Sequence, residues 1–293
     1  MPTQTGELGD TIPTIINSEA RYTEMFTTVM RGLSWNIPKP SGSTVNLPYF
    51  GVLTSRRLTE GVDLVNDEKL TDTNVQYTVY EAGLKSVLTK VVVEDDNQAL
   101  IRAAGKLLGD AYGKKRDIDL NERLDNASSS LAGSANALTM GHIAAARATL
   151  LGTAEADGGP APQPYACVIH PFHELDLVDV LTPLVPTAGS AGAGIWGTIA
   201  EDVIRNYSIG SLFRMPIVVD GNLAATASAA KGGVFAAGQG GGIVYISARE
   251  PVVEPTYDKS LRGWELVYVG RYGVGNYHNA WTVELFADIT APA

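Results

Sequence analysis

The residues best suited to chemistry are His170, His173 and Glu174, with Asp176 and Asp179 behind them. Zinc takes three or four nitrogen, sulfur or oxygen ligands converging as a tetrahedron, and this is the one cluster with suitable types. Its spacing departs from the metalloprotease pattern, which sets two histidines one helical turn apart with a glutamate between them. Here His170 closes the apolar run Tyr165–Ile169, and His173 opens a helix after Pro171. The expected reading is a structural strand-to-helix corner, with a metal-dependent hydrolase centred on His170 and His173 as the enzymatic alternative. Gly192-Ala193-Gly194-Ile195-Trp196-Gly197 fits the letters G-x-G-x-x-G, but a dinucleotide site needs a strand before it and a helix dipole behind it. Proline and small residues precede it and Trp196 fills the turn, so it reads as a loop. Gly109-x-x-x-Gly113-Lys114-Lys115 is one residue short of a phosphate loop and lacks the hydroxyl that would ligate magnesium. No G-x-S-x-G elbow is found. Cys167, the one cysteine, lies in an apolar run without a cue for thiolate activation and has no intrachain disulfide partner. The expectation is no catalytic residue, no cofactor, no metal, and a chain that is not an enzyme.

The elements that would position these groups follow from periodicity. Residues 1–17 are polar and punctuated by proline, an extended arm. From Ser18, Tyr22, Met25, Phe26, Val29 and Met30 recur at helical spacing, and the helix ends near Gly32. Ile37-Pro38-Lys39-Pro40-Ser41-Gly42 is extended, and its prolines bar it from the centre of a sheet. A strand is expected around Val45–Leu53, and Val75, Tyr77 and Val79 alternate with Gln76, Thr78 and Tyr80 as a half-exposed strand. Between them Arg56, Arg57, Glu60, Asp63, Asp67, Glu68 and Lys69 mark a long, charged, two-stranded excursion turning near Asn66-Asp67. An isolated hairpin is marginal in water, and one carrying Leu58, Val62, Leu64 and Leu70 wants a surface, either on its own domain or on a partner subunit. The strongest helix is capped by Asp95 or Asp96, with Leu100, Ile101, Ala104, Leu107, Leu108 and Ala111 as its apolar stripe. Gly105, Gly109 and Gly113 share one face; each costs a helix about 0.8–1 kcal/mol relative to alanine, so three in register suggest close approach of another backbone. Residues 126–138 are rich in Ala, Ser and Gly, and Thr139–Leu151 is helical. Gly158–Pro164 reads as a linker or domain boundary. Beyond it come a buried strand (Tyr165–His170), short helices at Leu175–Leu181 and Ala200–Tyr207, a strand at Met215–Val219, a small-residue segment at Ala224–Ala230, a strand at Gly242–Ser247, and a β-rich last fifty residues.

Composition bounds the partners. The 293 residues, 45% hydrophobic and 18% charged, suffice for a large core without covalent staples. A net charge of −10 with no basic cluster argues against specific nucleic-acid binding. An acidic wall is still compatible with enclosing DNA. The longest uncharged run, Val180–Ala200, contains Pro183 and Pro186, so no membrane span is expected. The N-terminus carries no secretion signal, which places synthesis in the cytoplasm.

The order of parts resembles the Hong Kong 97-type fold of tailed-bacteriophage major capsid proteins, a mixed α+β architecture, over nearly the whole chain. Cys167-Val168-Ile169-His170-Pro171 before a Leu/Asp helix, and Arg271-Tyr272-Gly273-Val274 before a final β segment, add local likeness. The resemblance implies an N-terminal arm (1–45), an extended β-hairpin loop lying across a neighbouring subunit (46–93), and a peripheral domain with its long spine helix (94–164). It further implies an apical domain (165–255) and C-terminal strands returning to the peripheral domain (256–293). The implied subunit interface comprises the hairpin charges Arg56, Arg57, Glu60, Asp63, Asp67, Glu68 and Lys69 and the glycines Gly105, Gly109 and Gly113. The implied function is self-assembly into pentamers and hexamers of an icosahedral head shell enclosing double-stranded DNA, assembled in host cytoplasm and ending in the virion. No scaffold-like helical segment precedes the arm, so a separate scaffolding protein is expected, beside a portal and a decoration protein as further partners. The prototype cross-links lysine to asparagine; Lys69, Asn276 and Asn279 lie in suitable regions but without matching motifs, so no cross-link is expected. An encapsulin-type compartment shell shares the fold and stays open as the alternative.

Overall fold

The computed structural model describes residues 16, 20, 28–39, 41–51, 53, 55, 57–61, 63, 72–91, 98–154, 158–181, 210–226 and 228–289. The expected caps at Asp95 and Asp96, most of the arm, the helix at 200–207 and the glycine loop at 192–197 lie outside these residues, as do the hairpin positions Arg56, Asp67, Glu68 and Lys69.

A short helix α1 (Met30–Leu33) leads into strand β1 (Trp35–Pro38). Pro38 removes a ladder donor, and β1 accordingly lies at a sheet edge, parallel to β10 (Ile243–Asp258). Strands β2 (Thr44–Phe50) and β3 (Asp72–Thr78) pair antiparallel as a separate two-stranded sheet, from Thr44 opposite Thr78 to Phe50 opposite Asp72. The chain continues through β4 (Tyr80–Thr89) into the long helix α2 (Gln98–Asn121). Then follow β5 (Ser129–Ala137), helix α3 (Met140–Leu151), β6 (Tyr165–Ile169) and helix α4 (Pro171–Leu181). The last strands are β7 (Ser211–Leu212), β8 (Met215–Val219), β9 (Ala229–Ala236), β10, β11 (Gly263–Asn276) and β12 (Thr282–Asp288). No described helix is long and apolar enough to cross a membrane.

Two larger sheets organise these strands. One has the order β1-β10-β11-β4, the other β5-β12-β9-β6-β8-β7. β5 and β12 lie in the same sheet as β6, β8 and β9, so residues 158–164 do not separate two sheets. β10 runs through position 255 without a break. Strand β5 was read from sequence only as a small-residue stretch, and of β9 only Ala229 and Ala230 were read, as the end of another. Ala, Ser and Gly give no alternation to read, but they let β9 lie tightly between β12 and β6.

Every residue of β6 is buried, because the strand is a wall between two cores. Ala166 and Val168 face one core, where α2 (Leu108, Tyr112, Leu120) packs on Tyr245, Leu266, Tyr268 and Tyr272 of the four-stranded sheet. Cys167 and Ile169 face the other, against Ile143, Ala146 and Leu150 of α3 and Leu177 of α4. Fully burying such a side chain contributes about 1.5–3 kcal/mol. Helix α3 begins at Thr139, whose hydroxyl accepts from the His142 N–H while His142 Nδ1 accepts from the Thr139 N–H. This is a reciprocal capping box with histidine in the usual glutamate position.

The buried face of α2 differs from the expected stripe. Leu108 is inside, but Ala111 is exposed and Leu107 is 67% exposed. The inward face is Gly105, Leu108, Gly109, Tyr112, Gly113, Arg116 and Leu120. The glycine side, where backbone approaches closely, won over the side with more methyl groups.

Candidate functional site

The hairpin β2–β3 is anchored at its root. Val45, Leu47, Val75 and Tyr77 pack with Val79, Val244 and Ile246, and Tyr77 donates its hydroxyl to the Asn276 carbonyl at 2.9 Å. Tyr49 meets the rings of Tyr277, His278 and Trp281 edge-on or tilted. Beyond that root the apolar residues lack cover: Phe50 and Leu53 are exposed and Leu58 is 68% exposed. Arg57, Glu60 and Asp63 are also exposed. Leu58 lies beyond the described pairing of β2 and β3, which ends at Phe50 opposite Asp72. The four-stranded sheet adds further exposed apolar side chains, Val87 on β4, Val252 and Tyr257 on β10, and Leu261 in the β10–β11 turn.

The glycine face of α2 is occupied from within. A Cβ at Gly109 would collide with the carbonyl and Cα of Ala20, so the backbone that approaches it belongs to the arm of the same chain. Gly105 and Gly113 are buried as well. The expectation of close approach holds at Gly109, but the contact there is internal.

The same face continues one turn further into Asp117, which with Asp220 forms a buried carboxyl pair that the sequence reading missed. Asp117 Oδ1 accepts from the Met30 N–H at 2.9 Å and Oδ2 from Asn222 Nδ2 at 3.1 Å. Asp220 accepts from Asn121 Nδ2 at 2.7 Å and from the Asn222 N–H at 2.8 Å. Asp220 also donates its own N–H to the Ile169 carbonyl, which joins the pair to the end of β6. Burial first, then the hydrogen bond and charge of Asp220, push the Asp117 carboxyl up to about 7. The signal for this site was Asp117 standing four residues past Gly113 on the buried face.

Neighbouring polar groups are bound tightly. Asp119 accepts from the Tyr80 hydroxyl (2.7 Å), the Tyr272 hydroxyl (2.6 Å) and Lys115 Nζ (2.6 Å). Burial and this carboxylate raise both tyrosines above their ordinary range. Arg116, fully buried, donates to the Thr28 hydroxyl at 3.1 Å and to the Tyr245 hydroxyl at 3.4 Å.

The histidines do not converge with carboxylates on a common point. His170 Nδ1 accepts from the Phe172 N–H at 3.2 Å, capping the start of α4. His173 is fully buried and donates Nε2–H to the Ala287 carbonyl at 3.4 Å. Burial lowers both imidazoles, so both are neutral at pH 7. Among the described residues no three His, Cys, Asp or Glu side chains are placed to hold a metal ion. Burial pushes the Cys167 thiol up to about 12, which removes its nucleophilic form at neutral pH.

No protein family matches the sequence, and no curated protein does. Solved structures do match the fold. The capsid of Ralstonia phage GP4 superposes with a TM-score of 0.68 at 12% identity, covering 89% of this chain and 88% of that one. The Cyanophage Pam1 capsid gives 0.64 at 12% identity, covering 93% of each chain. A virus-like particle from Pyrococcus furiosus gives 0.60 at 10% identity, covering 92% of this chain and 97% of that one. The chain therefore has the mixed α+β fold of these capsid subunits, and the Hong Kong 97-type resemblance is borne out as a fold.

Proposed function

We propose that this protein is the major capsid protein of a tailed bacteriophage, a structural subunit that assembles into an icosahedral head shell around double-stranded DNA. The observation that carries this reading is end-to-end agreement with phage capsid subunits, with nine-tenths or so of both chains aligned. The projecting hairpin supports it independently. Its exposed Leu53 and Leu58 and its charges Arg57, Glu60 and Asp63 suit burial against the next copy. Rim ion pairs of this kind contribute about 0–1 kcal/mol each, and their larger effect is on register. The net charge of −10 suits a wall that repels its contents and holds them by enclosure. Pentamers and hexamers, a separate scaffolding protein, a portal, a decoration protein and assembly in host cytoplasm complete the proposal.

One observation favours a second reading, a compartment shell that encloses protein cargo: the Pyrococcus particle aligns over 97% of its own chain. Sedimentation of the expressed chain, alone and with a scaffolding protein, tests both. Closed particles or rings of five and six are expected. A monomer or dimer that persists with scaffold present would overturn both readings. DNA packaged from neighbouring terminase and portal gene products separates the phage head from the cargo shell.

A further inference from the structure

We propose that Asp117 and Asp220 form a protonation-controlled latch in which one proton held between the two carboxyl groups keeps the arm docked on α2 and the six-stranded sheet. The pair lies where three parts of the chain meet. Asp117 comes from near the C-terminal end of α2, Asp220 follows β8, and the Met30 N–H that Asp117 accepts is the first donor of α1. Asp117 thus serves as the N-terminal cap that α1 lacks from its own Val29. Neighbouring Arg116 ties Thr28 to the same helix, and Ala20 lies against Gly109 about two turns earlier on that face, so the arm's docking converges here. Both carboxyl side chains are nearly inaccessible, Asp117 at 0% and Asp220 at 3% exposure.

The four donors to the pair among the described residues (Met30, Asn222 twice, Asn121) are all neutral. The charged groups nearby are engaged elsewhere. On α1 Arg31 pairs with Glu250 of β10; on α2 Arg116 reaches Thr28 and Tyr245, while Asp119 is held by Lys115, Tyr80 and Tyr272. Beyond Asn222, Lys231 pairs with Asp125 and Glu284. From the end of β6, His170 faces Asp220; burial lowers its imidazole, and the Asp220 carboxylate acts in the opposite direction. Among the described residues, no cation donates a hydrogen bond to either carboxyl group. Two buried like charges repel strongly, so one proton must stay for the junction to remain closed.

The sign follows from proton linkage. Asp117 binds its proton more tightly when docked than when the arm is released, where an ordinary aspartate value of about 3.9 applies. Docking is therefore strongest in mild acid, weakens as pH rises through the window up to about 7, and changes no further above it.

Hydrogen–deuterium exchange of the α1 amides, corrected for the intrinsic pH dependence of exchange, tests the latch. Protection of Met30–Leu33 should fall about tenfold per pH unit between about pH 5 and about pH 7 and then level off. Asp117→Asn, which fixes a neutral side chain at the same place, should abolish the slope. A wild-type protein with pH-independent protection, or a slope retained in Asp117→Asn, overturns the proposal. Should that variant fail to fold, carbon-13 titration of labelled aspartate carboxyls in the wild-type chain decides. One carboxyl titrating near neutrality supports the latch, and none titrating above about pH 5.5 overturns it.

Discussion

Gly109 shows how one missing methyl group fixes the path of a chain. Glycine inside a helix costs about 1 kcal/mol relative to alanine, and its compensation here is the passage of Ala20 across the helix surface. Gly109→Val should therefore displace the arm. We expect a loss of about 1–3 kcal/mol in denaturant unfolding, together with faster proteolysis between residues 21 and 30. Unchanged stability with an unchanged cleavage pattern would show that the arm is not held at this point. The Asp117–Asp220 pair lies further along the same face and adds pH control to the same docking, in the direction of weaker docking at higher pH. The histidines that first drew attention have structural work. His170 caps α4 and His173 bonds the Ala287 carbonyl, and burial keeps both neutral.

The hairpin of β2 and β3 was legible in the sequence because alternation of Val75 and Tyr77 with Gln76 and Thr78 survives in the structure as alternating burial. Helix α3 and its Thr139 start were legible for a similar reason, a clear period preceded by a capping residue. Strands β5 and β9 were not, since Ala, Gly and Ser carry no period and their burial is imposed by neighbours. The Asp117–Asp220 pair was hidden by distance, 103 positions apart (220 − 117) and joined only when β8 reaches α2. The hairpin also makes a separable prediction. Replacing residues 51–71 with a two-residue Asn-Gly turn keeps the root packing of Val45, Leu47 and Tyr77. The shortened chain should fold, with its far-ultraviolet dichroism and melting temperature nearly unchanged, yet fail to form particles in sedimentation. Particles formed at wild-type yield would remove the hairpin from the assembly interface.

For the molecule as a whole, side chains of both larger sheets pack in the core around the long helix α2, and β6 of the six-stranded sheet is buried on both faces. In this body α2 packs on the four-stranded sheet while β6 links that core to the second. Shell assembly needs this combination, a packed body with projecting segments that find neighbours. Sequence identity of 12% with the capsids of Ralstonia phage GP4 and Cyanophage Pam1 alongside TM-scores of 0.68 and 0.64 shows that the layout, not the particular side chains, is what is shared. The most direct test of the shell reading is an electron cryomicroscopy reconstruction of the material that the expressed chain forms, alone or with a scaffolding protein supplied. The account predicts a closed icosahedral particle built of fivefold and sixfold rings, with residues 53–63 of each subunit buried against the next. A discrete monomer or dimer, with the hairpin folded back on its own subunit, would contradict it.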